Sequence, residues 1–319
     1  MPVSNSTESE ELPHDSYSQS HLIHAPYLYL NKIPGKNFRA VFINKLNSII
    51  KAPQADVDTI VEVISKLHTV SLLFDDVEDS AVMRRGQPSA HSIFGVPRTI
   101  NSATLVLLET VKEFKLQMPQ LESILLEELI NLHRGQGMEL HWRDSNICPS
   151  ENEYLEMVRN KTAGLYRLAV RLLQACASEH SATTHDTEVV DLVPLADMFG
   201  IIYQIRDDWL NMLSSQYTDQ KGMFEDLTEG KFSFLLVHAF AHNHESSNVL
   251  RSILLMRTTD VNIKKYAIEI IKNCGSVEYT ENYLNDCYER TCAKIDALQL
   301  TNPQPLYEVL DAICDRKSL

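Results

Sequence analysis

The chain has 319 residues, of which 44% are apolar and 23% charged, enough length and apolar content to bury a large core. Its 29 basic against 43 acidic residues, a net charge of −14, exclude a general nucleic-acid or anionic-membrane surface, so an anionic ligand must be met by a local cluster of cations or through bound metal. Ten glycines and twelve prolines fall short of the average usage of about 12% and argue against many short strands, and no apolar run approaches the roughly 20 residues needed to span a bilayer.

The first 31 residues hold Glu8, Glu10, Glu11 and Asp15 but no Lys or Arg. They lack the basic start and apolar run of a signal peptide and the arginines of a mitochondrial presequence, so a cytoplasmic protein is expected. Residues 1–20, rich in Ser and Glu, read as a disordered acidic tail. Residues 21–319 read as one domain. Pro34-Gly35-Lys36-Asn37-Phe38-Arg39 reads as the opening of a helix with two cations on its first turn, a phosphate-favouring position.

From residue 56 to about 79, Val57, Ile60, Val61, Ile64, Leu67 and Val70 recur at three- and four-residue spacing, the stripe of an amphipathic helix. Similar patterns predict helices over about 98–117, 121–142, 151–178, 187–213, 231–243, 247–257, 260–273 and 276–298. Ser150 followed by Glu153 is a capping-box pattern that starts one of them. Pro194 either kinks the 187–213 helix or marks its true start. Breaks fall at 86–88, 148–149, 181–187, 216–222 and 302–305. With no internal repeat and no strand alternation, the fold class is all-α. Six cysteines (Cys148, Cys176, Cys274, Cys287, Cys292, Cys314) show no zinc-type spacing and read as reduced thiols.

Two acidic clusters interrupt this background. Asp75-Asp76-Val77-Glu78-Asp79 follows an apolar run, and Asp75 and Asp79 share a helix face. Like charges four apart destabilise a helix, and hard carboxylate oxygens without Cys or His suit Mg²⁺. Asp207-Asp208-Trp209-Leu210-Asn211 repeats the spacing with Asn as the last oxygen donor. Two such clusters on separate helices can face each other across a bundle. Cations accompany them: Arg84 and Arg85 before the Gly86-Gln87-Pro88 break, Lys161-Thr162 in mid-helix, Lys221, and Lys231. In an acidic protein, such grouping points to phosphate as the ligand.

The order PGKNFR, LHTVSLLFDDVEDSAVMRRGQPSAHSIFG, GQGMELHWRD, NKTAGL, YQIRDDWLN and KGMFEDLTEGKFSF resembles trans-polyprenyl diphosphate synthases, and among these the geranylgeranyl-forming group of fungi. Trp209 and Leu235 depart from its pattern, where Tyr and Pro are usual. The resemblance implies an isoprenoid-synthase helical bundle with a central cavity, acting as a homodimer or larger homo-oligomer. It implies that Asp75, Asp79 and Asp207 hold three Mg²⁺ on the diphosphate of an allylic substrate, supported by Asp76, Asp208 and Asn211. Arg84, Lys161, Lys221 and Lys231 are then expected to bind that diphosphate, with Thr162 and Gln204 contacting it or the incipient cation. Lys36, Arg39, His68 and Arg85 are expected to hold isopentenyl diphosphate.

The chemistry explains these residue types. Breaking an allylic C–O bond expels a polyanion and leaves a carbocation, so fixed cations and metal must neutralise the departing group. A terpene cyclase also uses an aspartate-rich motif, but the chain lacks its downstream Asn/Asp, Ser/Thr, Glu triad. A non-catalytic partner subunit is expected to have lost carboxylates that are present here. Product length is read at Ser71, one helical turn before Asp75, and at its neighbour Val70. Both are small enough to let the chain pass to twenty carbons, although Ser71 reads equally as a small helix-contact residue. The floor is expected deeper on this helix or within 102–108 of its neighbour.

Overall fold

The computed structural model describes residues 19–33, 38–184, 190–213, 224–242 and 244–314. The helices are α1 (Gln19–Ile23), α2 (Ala25–Lys32), α3 (Phe38–Ile50), α4 (Gln54–Glu78), α5 (Ala90–Phe94), α6 (Val96–Gln117), α7 (Glu122–Ser145), α8 (Glu151–Lys161) and α9 (Ala163–Thr184). They continue with α10 (Val193–Leu213), α11 (Glu225–Glu229), α12 (Phe234–His242), α13 (His244–Met256), α14 (Val261–Asn273), α15 (Ser276–Ala297) and α16 (Gln304–Cys314). Strands β1 (Met83–Arg84) and β2 (Gln87–Pro88) form a two-residue antiparallel hairpin. The fold is therefore all-α, as its periodicity predicts.

Of the expected α4 stripe, Val57, Ile60, Ile64, Leu67 and Val70 are buried, whereas Val61 is half-buried and Val63 is buried beside it. A main core runs from Phe42 on α3 to Cys314 on α16. A second, smaller cluster of Leu30, Val70, Leu73, Ala90, Ala103 and Val106 fills the seam between α4 and the α2, α5 and α6 helices outside it. Burial of these side chains is the dominant stabilising contribution. Ser150 and Glu153 form the expected reciprocal cap at the start of α8.

Three readings need correction, and the break at 86–88 is borne out. The single helix expected over 151–178 is two, α8 and α9, meeting at Thr162. The helix expected from 187 begins at Val193, with Pro194 in its first turn, where proline costs no intrahelical hydrogen bond. The stretch over 181–187 does not break at once, because α9 continues to Thr184. The break at 86–88 is the hairpin turn: Arg85 (φ 53°) and Gly86 (φ 74°) are both left-handed, the signature of a type I′ turn. The short α1, α2, α5 and α11 carry too few turns to show a periodic stripe, whereas α16, which was not read from the sequence, does carry one in Leu306, Val309, Leu310 and Ile313. The expected tail at 1–20 falls almost wholly outside the described residues.

Two glycines set the path of the chain at Thr162. A Cβ on Gly135 of α7 would overlap Lys161 N and lie 2.9 Å from Asn160 Cβ and Lys161 Cα. A Cβ on Gly200 of α10 would overlap Ala163. The junction of α8 and α9 is thus pressed from both sides by helix backbones that approach closely only because no side chain intervenes.

Candidate active site

A cavity of about 320 Å³ opens between α4, α7, the α8–α9 junction, α10 and the segment around α11. Of the residues singled out in the sequence, it is lined by Arg39, His68, Ser71, Asp75, Arg84, Arg85, Lys161, Thr162, Gln204, Asp207, Asp208, Asn211 and Lys231. His68, Ser71, Asp75 and Glu78 share one face of α4, as their spacing requires. Lys36 and Lys221 lie outside the described residues.

One pole of the cavity is acidic, with its cations interleaved. Asp75 meets Lys161 at 3.2 Å and Arg84 at 3.2 Å. Burial pushes its carboxyl upward, but Lys161, Lys231 and Arg84 outweigh this and hold it well below the usual range. Asp76 is fully buried and turned away, accepting from Arg84 Nε at 2.6 Å. Asp79 is not among the lining residues: at the end of α4 it pairs with Lys231 and, at 3.1 Å, with Arg143. Burial raises it to about 7, against the pull of Lys231. Lys161 also donates to Glu139 at 2.6 Å, and Lys231 to Glu229 at 2.9 Å.

On α10, Asp208 is buried and accepts from Tyr154 Oη at 2.5 Å, Phe234 N at 2.7 Å and Gln204 Nε2 at 2.9 Å. Burial still lifts it to about 6. Thr162 and Gln204 are joined at 2.6 Å. Asn211 Oδ1 accepts from Asp226 N at 3.3 Å, so it braces the second cluster against α11. Trp209 turns outward and donates to Glu281 of α15 at 3.2 Å. Leu235 is fully buried in the first turn of α12, where backbone N–H groups lack intrahelical acceptors and proline and leucine are both accommodated.

The opposite pole is basic. Burial, then Arg39, Arg85 and Arg84, hold His68 well below its usual value, so it faces the cavity as neutral imidazole. Arg39 Nε is buried without a hydrogen-bond partner, and Arg85 donates to Ile33 O at 2.9 Å. Successive residues of a strand point to opposite sides, yet Arg84 and Arg85 both line the cavity. The left-handed backbone at Arg85 is what re-aims the second guanidinium.

The apolar wall comes from Leu72 and Phe74 on α4, Leu132 and His133 on α7, Met157, Leu165 and Phe232. Phe74 and His133 meet edge to face at 6.1 Å. Ser71 is in this wall, but Val70 is not: one step round the helix, it is buried in the second cluster against Ala103 and Val106. The same cluster takes up the 102–108 segment, so among the described residues the neighbouring helix that reaches the cavity is α7, not α6. Glu139, Tyr154, Asp226, Glu229 and Arg143 carry site chemistry that was not read from the sequence.

Seven carboxylates and five cationic side chains line the cavity. Among the described residues, no three His, Cys, Asp or Glu converge tightly enough to hold an ion unaided. Asp226 Oδ2 is nonetheless buried without a partner, and burial lifts its carboxyl well above the usual range. An all-oxygen, incompletely neutralised donor set fits Mg²⁺, which takes one or two carboxylates and completes its shell with water and phosphate.

A family model described as polyprenyl synthetase matches residues 20–271. The geranylgeranyl pyrophosphate synthase of Hypoxylon pulicicidum is 47% identical over 274 residues, covering 86% of this chain and 69% of that protein. That of Mucor circinelloides f. lusitanicus is 44% identical over 292 residues, covering 91% and 92%. A copalyl diphosphate synthase of Talaromyces verruculosus is 44% identical over 282 residues, covering 88% of this chain but 28% of that longer protein. With matches of that extent laid over a cavity that sets paired aspartate clusters against lysines and arginines, the chain belongs to the polyprenyl synthetase family.

Proposed function

We propose that this cavity condenses isopentenyl diphosphate with allylic diphosphates (dimethylallyl, geranyl, farnesyl) and releases geranylgeranyl diphosphate. The observation that carries the reading is the division of one cavity into an acidic pole with interleaved lysines, a basic pole around Arg39, His68 and Arg85, and an apolar wall between helices. Asp75, Asp79 and Asp207 would hold Mg²⁺, three ions in all, with Asp76, Asp208 and Asn211 bracing them. When bound, the metal supplies positive charge to the departing diphosphate.

The protein's own groups do the rest. Arg84, Lys161, Lys221 and Lys231 bind the allylic diphosphate, and the three of these that are described already pair with the first acidic cluster. Lys36, Arg39, His68 and Arg85 seat isopentenyl diphosphate so that its double bond meets the allylic carbon. Thr162 and Gln204 contact the allylic diphosphate or the incipient cation, and the apolar wall excludes water that would quench that cation. No side chain need act as a strong base, because the departed diphosphate can accept the proton. Ser71, small and one turn from Asp75, leaves room for the chain to reach twenty carbons.

Residues 21–319 act as one cytoplasmic domain; the main core running from Phe42 to Cys314 supports the single domain, and no helix among the described residues is long and apolar enough to cross a membrane. A homodimer or larger homo-oligomer is supported by the exposed apolar side chains Leu108 and Leu116 on α6 and Leu126 and Ile130 on α7, since exposed apolar surface marks contact faces. Incubating the purified protein with labelled isopentenyl diphosphate, an allylic diphosphate and Mg²⁺ tests the reading. Twenty-carbon product is expected, and absence of Mg²⁺-dependent elongation would overturn it.

A further inference from the structure

Tyr154 lies in the first turns of α8, is 1% exposed, and lines the cavity without belonging to either aspartate cluster. Its ring is fixed against Phe234 of α12, with centroids 5.5 Å apart. Its hydroxyl donates to Asp208 Oδ2 at 2.5 Å, and Phe234 N donates to the same oxygen at 2.7 Å. Asp208 is thereby held between two helices other than its own.

We propose that Tyr154 is a positioning residue, which fixes Asp208 as a hydrogen-bond acceptor and so sets the direction of the chain Asp208–Gln204–Thr162. The proposal rests on the prenyl-transfer reading above and assigns a role to a residue outside the family motifs. An ionised carboxylate only accepts. With Oδ2 occupied by two donors, Oδ1 takes a proton from the Gln204 amide nitrogen at 2.9 Å. The Gln204 nitrogen committed there leaves its carbonyl facing Thr162, 2.6 Å away. Thr162 must therefore spend its hydroxyl proton on Gln204, and its oxygen presents lone pairs to the cavity.

Polarity is what matters in this arrangement. Were Asp208 to swing free, Gln204 could turn over and Thr162 could point its proton into the cavity. The positive end of an O–H dipole would then face the place where positive charge develops. A short bond from a rigid, buried phenol to an anion is the strong kind of hydrogen bond and suits a device that holds one orientation. Interactions that matter only as charge develops act on turnover rather than on substrate binding.

Tyr154→Phe keeps the ring and removes the hydroxyl. We expect kcat to fall by about tenfold or more, in line with loss of a hydrogen bond to a charged group, with both KM values within about twofold. Thr162→Val should give the same kcat-selective loss, and Thr162→Ser should restore most of it. The double variant Tyr154→Phe/Thr162→Val should be no slower than Thr162→Val alone, because both act on one chain. Unchanged kcat in Tyr154→Phe overturns the proposal, and so does a double variant whose losses multiply. Should Tyr154→Phe fold poorly, a Thr162→Val enzyme of undiminished kcat overturns it independently. An inactive wild-type protein would instead sink the prenyl-transfer reading, so the two failures are separable.

Discussion

Replacing Gly135 by alanine tests how tightly the Lys161–Thr162 junction is held. The new Cβ would sit 2.9 Å from Asn160 Cβ and Lys161 Cα and overlap Lys161 N. Non-bonded carbons rest about 3.5–4.0 Å apart, so the two carbon contacts alone require α7 and the junction to separate by at least about 0.6–1.1 Å. Overpacking of this kind costs about 1–3 kcal/mol, while alanine is favoured over glycine in a helix by about 1 kcal/mol. The net loss of stability is thus about 0–2 kcal/mol, a melting shift of a few degrees. Catalysis answers to a steeper rule, since a displacement of about 1 Å costs on the order of a hundredfold in rate, or about 2.7 kcal/mol. The expected signature is a folded enzyme, by far-UV circular dichroism and thermal unfolding, that has lost about 99% of its kcat. A Gly135→Ala enzyme within threefold of wild-type kcat would refute the argument that this close approach places Lys161 and Thr162.

Other consequences are more direct. Asp75→Ala and Asp207→Ala should each abolish turnover while leaving the helical circular dichroism signal intact, and near-normal turnover in both would remove the metal assignment. His68 is depressed by burial and by its arginine neighbours, so the unfolded chain binds the proton first as pH falls below about 6.5. Stability from this group is complete above that value and is lost below it; melting temperatures measured from about pH 7.5 to about pH 5 should fall more steeply in wild type than in His68→Gln, and equal slopes would count against it. Ser71→Phe should close the apolar wall and shorten the product to fifteen carbons, as read by chromatography of dephosphorylated products. A folded Ser71→Phe enzyme that still makes only the twenty-carbon chain would return Ser71 to a helix-contact role.

The long helices were legible because burial of one face writes a repeating stripe, and α4 shows it over 25 residues. The aspartate clusters were legible because charge interrupts that stripe. What was missed lies where a side chain's meaning depends on distant partners. Tyr154 reads as an ordinary core aromatic, and its acceptor lies 54 residues away. Arg143 reads as a surface charge at a helix end, yet its side chain reaches the Glu78 carbonyl at 2.9 Å. A signal did exist for Glu139: Leu132, Gln136, Glu139 and Arg143 recur at inward helical spacing on α7, which places polar groups on a face that leucines mark as buried. Val70 was misplaced because spacing fixes the angle between two side chains but not which neighbour each one meets. Only the packing of α2 and α6 against α4 decides that Val70 looks outward and Ser71 inward.

The tight hairpin that carries Arg84 and Arg85 also governs which sequence changes the site can survive. Its two-residue loop has no slack. Adding or deleting one residue between Met83 and Pro88 would slip the pairing by one and send every side chain to the other face, turning Arg84 away from Asp75 and Asp76. Connections elsewhere on a protein surface absorb changes of length at little entropic cost. Here composition is cheap and length is not: Val82, 70% exposed, can be exchanged freely, whereas the count of residues from Asp79 to Ser89 is as much a part of the site as its charges.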